Sequence, residues 1–273
     1  MTKPFSDPPS RAGARTPILD QKDPSSHSVF QPAALLREAR RQKGLPAVDV
    51  PAVCILDPDG DIVRRLRVDG RSKPFEGWPC YHTRLDAFEL AGQRVGIVGC
   101  AVGAPFAVLI AEQLFASGCR LLLSLTSAGQ IVPAGPTPYF VIIDRALRDE
   151  GTSYHYAAPS EYGEADARLV AAAEDALGRA GLRAIVGPSW TTDAPFRETE
   201  DAIAAAKRRG ILAVEMEAAA LYTFAKASQV EVLCLAHVTN TMGQAAQDFE
   251  KGEADGTADA LAVLGAVVRQ LAP

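Results

Sequence analysis

Two glutamates flank a methionine at Glu215-Met216-Glu217, wedged between the apolar runs I-L-A-V and A-A-A-L-Y-T-F-A. Carboxylates in such surroundings are expected to be buried, and a buried charge needs partners. The hydroxyls of a sugar would serve, because one carboxylate can accept from both arms of a cis-diol. The Met216 thioether would pack on the apolar face of the same ring. The following run reads as an Ala-rich helix with both carboxylates at its front, where the helix dipole favours negative charge. Ordinary helix-terminal charge is the simpler alternative. A second feature, Gly99-Cys100-Ala101-Val102-Gly103-Ala104-Pro105, could cradle an anion, since glycines let backbone N–H groups approach a ligand. A tight strand-to-helix turn would use the same residues. The stretch is neither G-x-G-x-x-G nor a Walker sequence, so dinucleotide and nucleoside triphosphate binding are unsupported.

Metal and thiol chemistry find little support. The five cysteines include no C-x-x-C pair, and no two of the four histidines have ligand spacing, so neither a zinc site nor a disulfide framework is expected. At 48% hydrophobic and 22% charged, the chain is an ordinary globular one. Its net charge of −5 argues against nucleic-acid binding, which calls for a basic surface. No apolar run approaches the roughly 18 residues that would span a bilayer. With no apolar signal segment at the start, a cytoplasmic location and no membrane partner are expected.

The elements that must position these residues follow from hydrophobic periodicity. Residues 1–26 read as a flexible tail and residues 27–273 as one domain. Within it, R-V-G-I-V-G-C, R-L-L-L-S-L-T-S, Y-F-V-I-I-D, R-A-I-V-G-P-S-W and E-V-L-C-L-A-H-V-T read as strands, with amphipathic helical stretches between them. That alternation predicts a single-domain, three-layer α/β/α sandwich around a central mixed sheet. Ligands gather at the carboxyl ends of strands in such sheets, which directs attention to residues 99–105, 126–129, 144–156, 190–198, 214–217 and 237–244.

The segment V-E-M-E-A-A-A-L-Y-T-F-A resembles the signature of the nucleoside phosphorylases, which include uridine phosphorylase, bacterial purine nucleoside phosphorylase and related nucleosidases. The resemblance covers roughly residues 50 to 270. The order of motifs agrees: the glycine loop, Ser127-Ala128-Gly129, the run D-E-G-T-S-Y-H-Y at 149–156, Thr191-Thr192-Asp193, and then Glu215-Met216-Glu217. It implies that Glu217 holds the ribose 2′- and 3′-hydroxyls, with Glu215 and Met216 beside it on the substrate. Ser127 would bind phosphate or sugar, Ala128 and Gly129 would line the base pocket, and Phe196 would stack on the base unless it is a core residue. Arg197 would read the base or pair with a carboxylate such as Glu200. His27 or His82 would reach a neighbouring subunit's site in a homo-oligomer, a dimer or hexamer. Inorganic phosphate would be co-substrate, with no metal or organic cofactor.

The expected reaction is cleavage of a nucleoside to free base and ribose 1-phosphate, closest to uridine phosphorylase. Its transition state carries positive charge on the ribosyl group, so the site must fix the sugar and place a nucleophile below C1′. Two residues depart from the family pattern. Ser124 stands where the phosphorylases carry a phosphate-gripping arginine, and a serine offers neither charge nor a fork. Gly60 and Arg64 in Gly60-Asp61-Ile62-Val63-Arg64 partly echo the family's phosphate loop, although Asp59-Gly60 reads equally well as the turn of a hairpin; Gly103 of the glycine loop is a further phosphate candidate, and Arg71 or Arg84 delivered from a second subunit is another source of the cation. Asn240 replaces the purine-specific aspartate; an amide can donate a hydrogen bond to the leaving base but is no general acid. These departures keep two alternatives open: a hydrolytic nucleosidase, and a catalytically silent nucleoside-binding protein.

Overall fold

The computed structural model describes residues 16–20, 22–241 and 256–273. Most of the expected tail, and positions 242–244 of the last strand end, lie outside the described residues. The first half of the chain runs α1 (Pro32–Lys43), β1 (Val53–Asp57), α2 (Asp61–Val68), β2 (Ser72–Pro74), β3 (Asp86–Leu90), β4 (Gln93–Gly99), α3 (Ala104–Phe115) and β5 (Leu121–Gln130). It continues β6 (Tyr139–Asp149), β7 (Tyr162–Glu164), α4 (Ala167–Arg179), β8 (Ala184–Thr192), α5 (Glu200–Arg208), β9 (Ala213–Glu215), α6 (Ala218–Ser228), β10 (Glu231–Thr241) and α7 (Thr257–Leu271).

The strands form one mixed sheet, as the alternation predicts. Period-two burial gives it two apolar faces. Cys54, Leu56 and Leu122 join the cluster that contains α3 and α6, whereas Val53, Ile55, Leu121 and Leu123 join the one that contains α2, α4 and α7. Helices therefore cover both sides. One part of the sheet curls: β5 pairs with β10, β10 with β6, β6 with β8, β8 with β9, and β9 with β5 again. These five strands close a ring beside the open part of the sheet. β1 lies between β4 and β5, parallel to both, so the crossover through α3 skips one strand.

Two local expectations need correction. The run D-I-V-R-R-L-R-V is helix α2, not the second arm of a hairpin: Ile62, Val63 and Leu66 are buried at helical spacing. The Asp57 carboxylate accepts the Val63 N–H at 2.9 Å, tying the first turn of α2 to the end of β1. Gly60 makes the corner at φ 76°, packed so closely that a Cβ there would meet the Cys100 sulfur at 2.5 Å. The second correction concerns α6, which begins at Ala218, three residues later than predicted. Glu215 ends a strand paired with β8, and Glu217 is the helix N-cap residue.

Candidate active site

A cavity of about 370 Å³ opens at the strand ends. Its walls come from the loop after β1 (Pro58, Asp59), Val102 before α3, residues 126–129 of β5, and residues 214–217. Pro195, Phe196 and Glu198 close one side and Asn240 of β10 another. A larger cavity of about 460 Å³ lies at the opposite end of β10, beside Glu231 and the C-terminal half of α6, away from Glu215-Met216-Glu217 and the glycine loop.

Glu217 is 1% exposed and lines the first cavity. Its Oε1 accepts the Gly103 N–H at 2.7 Å, and its Oε2, also buried, has no hydrogen-bond partner. Burial, reinforced by the neighbouring Glu215 carboxylate, pushes its pKa up to about 8; the Gly103 N–H and the nearby Thr126 hydroxyl oppose this. A buried oxygen on a cavity wall without a donor is suited to accepting hydroxyls from a ligand.

Glu215, two residues earlier, is in a different state. Its Oε1 accepts from the Ser189 and Thr191 hydroxyls, and its Oε2 accepts the N–H groups of Glu217 and Ala218, both at 2.7 Å. The carboxylate is filled by its own chain. It shapes the turn that aims Glu217, and although Glu215 lines the cavity, both of its oxygens are engaged within the chain. Met216 lies between them on the cavity wall.

A family model described as the phosphorylase superfamily matches residues 52–270. The chain belongs to that superfamily. A purine nucleoside phosphorylase of the DeoD type from Roseobacter denitrificans is 30% identical over 156 residues, covering 55% of this chain and 64% of that protein. The uridine phosphorylase of Thermococcus kodakarensis is 26% identical over 188 residues, 61% of this chain and 66% of that one. This chain thus spans just under two thirds of either relative. The uridine phosphorylase of Vibrio fischeri superimposes with a TM-score of 0.67 at 19% identity, over 83% of this chain and 91% of that one. That likeness is one of fold.

For a member of the phosphorylase superfamily, the expected phosphate donors are oddly employed. The Gly103 N–H is given to Glu217, and the Gly60 N–H to the Asp57 carbonyl at 2.9 Å. Arg64 donates to the Asp59 carbonyl at 3.1 Å and pairs with Asp61, and it does not line the cavity. The Ser127 N–H donates to Asp59 Oδ2 at 2.8 Å, so a carboxylate of the chain itself already sits there. Ser124 is buried with its hydroxyl unpartnered. In this structure the donors of Gly60, Arg64 and Gly103, expected to face phosphate, are given to the chain's own acceptors.

Ala128 and Gly129, expected to line a base pocket, line the cavity, and Asn240 pairs opposite Gly129 just after a register shift in β10. Phe196 is 99% exposed at the mouth, which rules out a core role. Arg197 does not line the cavity. His27 and His82 are exposed and do not line it either. The motifs at 149–156 and 191–193 fasten each other instead: Asp193 accepts the Gly151 N–H at 2.8 Å, and the Asp193 N–H donates to the Asp149 carbonyl at 3.4 Å.

Sequence reading missed three groups. Asp59 was absorbed into a turn signal. Glu198 lines the cavity beside Phe196, with its pKa pushed up to about 7 by burial; nothing in the local sequence pattern marks it. His237 is buried, stacked on Phe140 with ring centroids 4.4 Å apart. Among the described residues no group of acids, cysteines and histidines could hold a metal ion, and no helix is long and apolar enough to cross a membrane.

Proposed function

We propose that this chain cleaves the N-glycosidic bond of a ribonucleoside and releases the free base. The observation that carries this reading is the buried Glu217 carboxylate, whose Oε2 has no donor and which lines a cavity large enough for a nucleoside. Ionised, it accepts the 2′- and 3′-hydroxyls and fixes the sugar; Met216 packs against the ring. Negative charge beside the sugar stabilises the ribosyl cation as the bond lengthens. Phe196 at the mouth covers the base, and the Asn240 amide donates to it as it departs. The names of the relatives support phosphorolysis, with ribose 1-phosphate as product and the enzyme a pentosyltransferase. Hydrolysis is the second reading, favoured by the Asp59 carboxylate that occupies the Ser127 N–H.

The test is a panel of purine and pyrimidine nucleosides, assayed for base release with and without phosphate. Turnover of at least one member is expected, falling at least about 100-fold in Glu217→Ala. A protein that is stabilised by nucleosides yet releases no base from any of them is a binding protein, and the enzymatic reading is then wrong.

A further inference from the structure

A departing base takes the electron pair of the N-glycosidic bond with it. A proton supplied in that step accelerates cleavage by about 10²–10⁴-fold. Asn240 cannot supply one, because an amide donates a hydrogen bond yet keeps its proton near neutral pH. Among the described residues four acids line the cavity: Asp59, Glu198, Glu215 and Glu217. Glu215 is filled by its own chain, and Asp59 is tied to β5 through the Ser127 N–H. Glu217 accepts the Gly103 N–H and, in the reading above, the sugar hydroxyls. Glu198 is the acid left over.

The chain fixes Glu198 from both sides. At the end of β8 the Thr192 hydroxyl accepts the Ala194 N–H at 3.2 Å, and a tight turn over Pro195–Arg197 follows. Thr199 then caps α5, its hydroxyl accepting the Ala202 N–H at 3.3 Å. Between these anchors Phe196 stands out into solvent at the mouth, while Glu198, half-buried, joins the cavity wall. Among the described residues its carboxyl has no hydrogen-bond or ion-pair partner. Burial alone pushes its pKa up to about 7. Asp59, Glu215 and Glu217 face the cavity from the other walls, and Arg197 and Glu200 flank Glu198 along the chain; none of them contributes to that shift.

We propose that Glu198 is the general acid of this site, giving its proton to the base as the base departs beneath Phe196. The proposal rests on the reading of Glu217 as the ribose-holding group. The N-glycosidic bond breaks with its electron pair on the base, and the Glu198 O–H proton passes to an acceptor atom of that ring. The base leaves neutral. The step is the same whether phosphate or water forms the new bond to C1′; with water, the proton it loses goes to solvent. Glu198, left as a carboxylate, recovers its proton from solvent, which its place at the mouth admits. Two carboxyl groups of one cavity thus work in opposite states, Glu217 ionised at the sugar and Glu198 protonated at the base.

The test compares the full chain with Glu198→Gln on a series of nucleosides whose bases differ in acidity. An acid matters most for the poorest leaving group. The variant should lose at least about 100-fold in kcat on the least acidic base and less than about threefold on the most acidic. Glu217 must ionise, at about 8, while Glu198 must keep its proton, at about 7, so wild-type turnover should be highest between these values and fall above them. That alkaline fall should vanish in Glu198→Gln, and the rise on the acidic side should remain. Glu198→Asp, an acid on a shorter arm, should recover part of the rate together with the fall. Thermal stabilisation by nucleoside should be retained in both variants, which separates a lost proton from a lost fold. An equal loss across the series, or an alkaline fall that persists in Glu198→Gln, overturns this proposal and leaves the Glu217 reading standing. Absence of base release from every nucleoside in the unaltered chain overturns both.

Discussion

Glu215 and Glu217 stand two positions apart, both buried, both acidic, and they do opposite things. Glu215 collects four donors from two hydroxyls and two backbone N–H groups. Removing it in Glu215→Ala leaves those donors buried without an acceptor, each costing about 1–3 kcal/mol. A loss of at least about 3 kcal/mol is expected, read as a lowered urea midpoint. Glu217, with one oxygen unpaired, is held in place at a cost to stability that depends on pH. Its raised pKa, about 8, and that of Asp57, about 7, mean that the folded chain keeps protons the unfolded chain has lost. Stability from these two groups is complete below their unfolded values near 4 and drains away as pH rises to about 8. Asp86, held below its usual range by Arg67, acts in the opposite direction and loses its contribution below about pH 4. The melting temperature should therefore peak near pH 5 and fall toward pH 8. Glu217→Gln should flatten that fall; an unaltered slope would refute the burial argument. The sequence showed the pair, because apolar runs on both sides left them nowhere polar to go. It could not separate their roles, since that depends on Ser189 and Thr191, more than twenty residues away along the chain.

At the scale of elements, regular alternation was readable and corners were not. The strands β4, β5, β6, β8 and β10 all fall where their apolar runs predict, because burial on two faces leaves an unmistakable pattern. The signal Asp57-Pro58-Asp59-Gly60 was ambiguous, since the same residues turn a chain into a strand or a helix. Only the spacing of Ile62, Val63 and Leu66 distinguishes the two, and it favours α2. This corner carries the site's acidic wall, so its geometry matters to function. Gly60→Ala places a Cβ at a left-handed φ and within 2.5 Å of the Cys100 sulfur. The backbone alone costs about 1–2 kcal/mol, and the contact adds to it. Unfolding at lower urea, with turnover reduced further than the loss of folded protein explains, is the expected result. Insertion of β1 between β4 and β5 left no local trace, because strand order is decided by which edges are free, not by the residues of the crossover.

At the scale of the molecule, the site exists because distant parts of the chain end at one place. β5 supplies one wall, and closure of the five-strand ring brings β9 and β10 alongside it. No single segment contains a complete pocket, which explains why the motifs were individually weak and informative only in order. Phe196, the one aromatic among the described residues that line the cavity, has a thermodynamic consequence. Phe196 keeps nearly its whole ring in water while the site is open, so covering it with a flat heterocycle releases that hydration. Calorimetry across temperature should give a negative heat capacity of association for nucleosides, reduced in Phe196→Ala and absent for free ribose. Recognition of the two halves of the ligand would then carry different temperature dependences, the sugar held by hydrogen bonds and the heterocycle by solvent release.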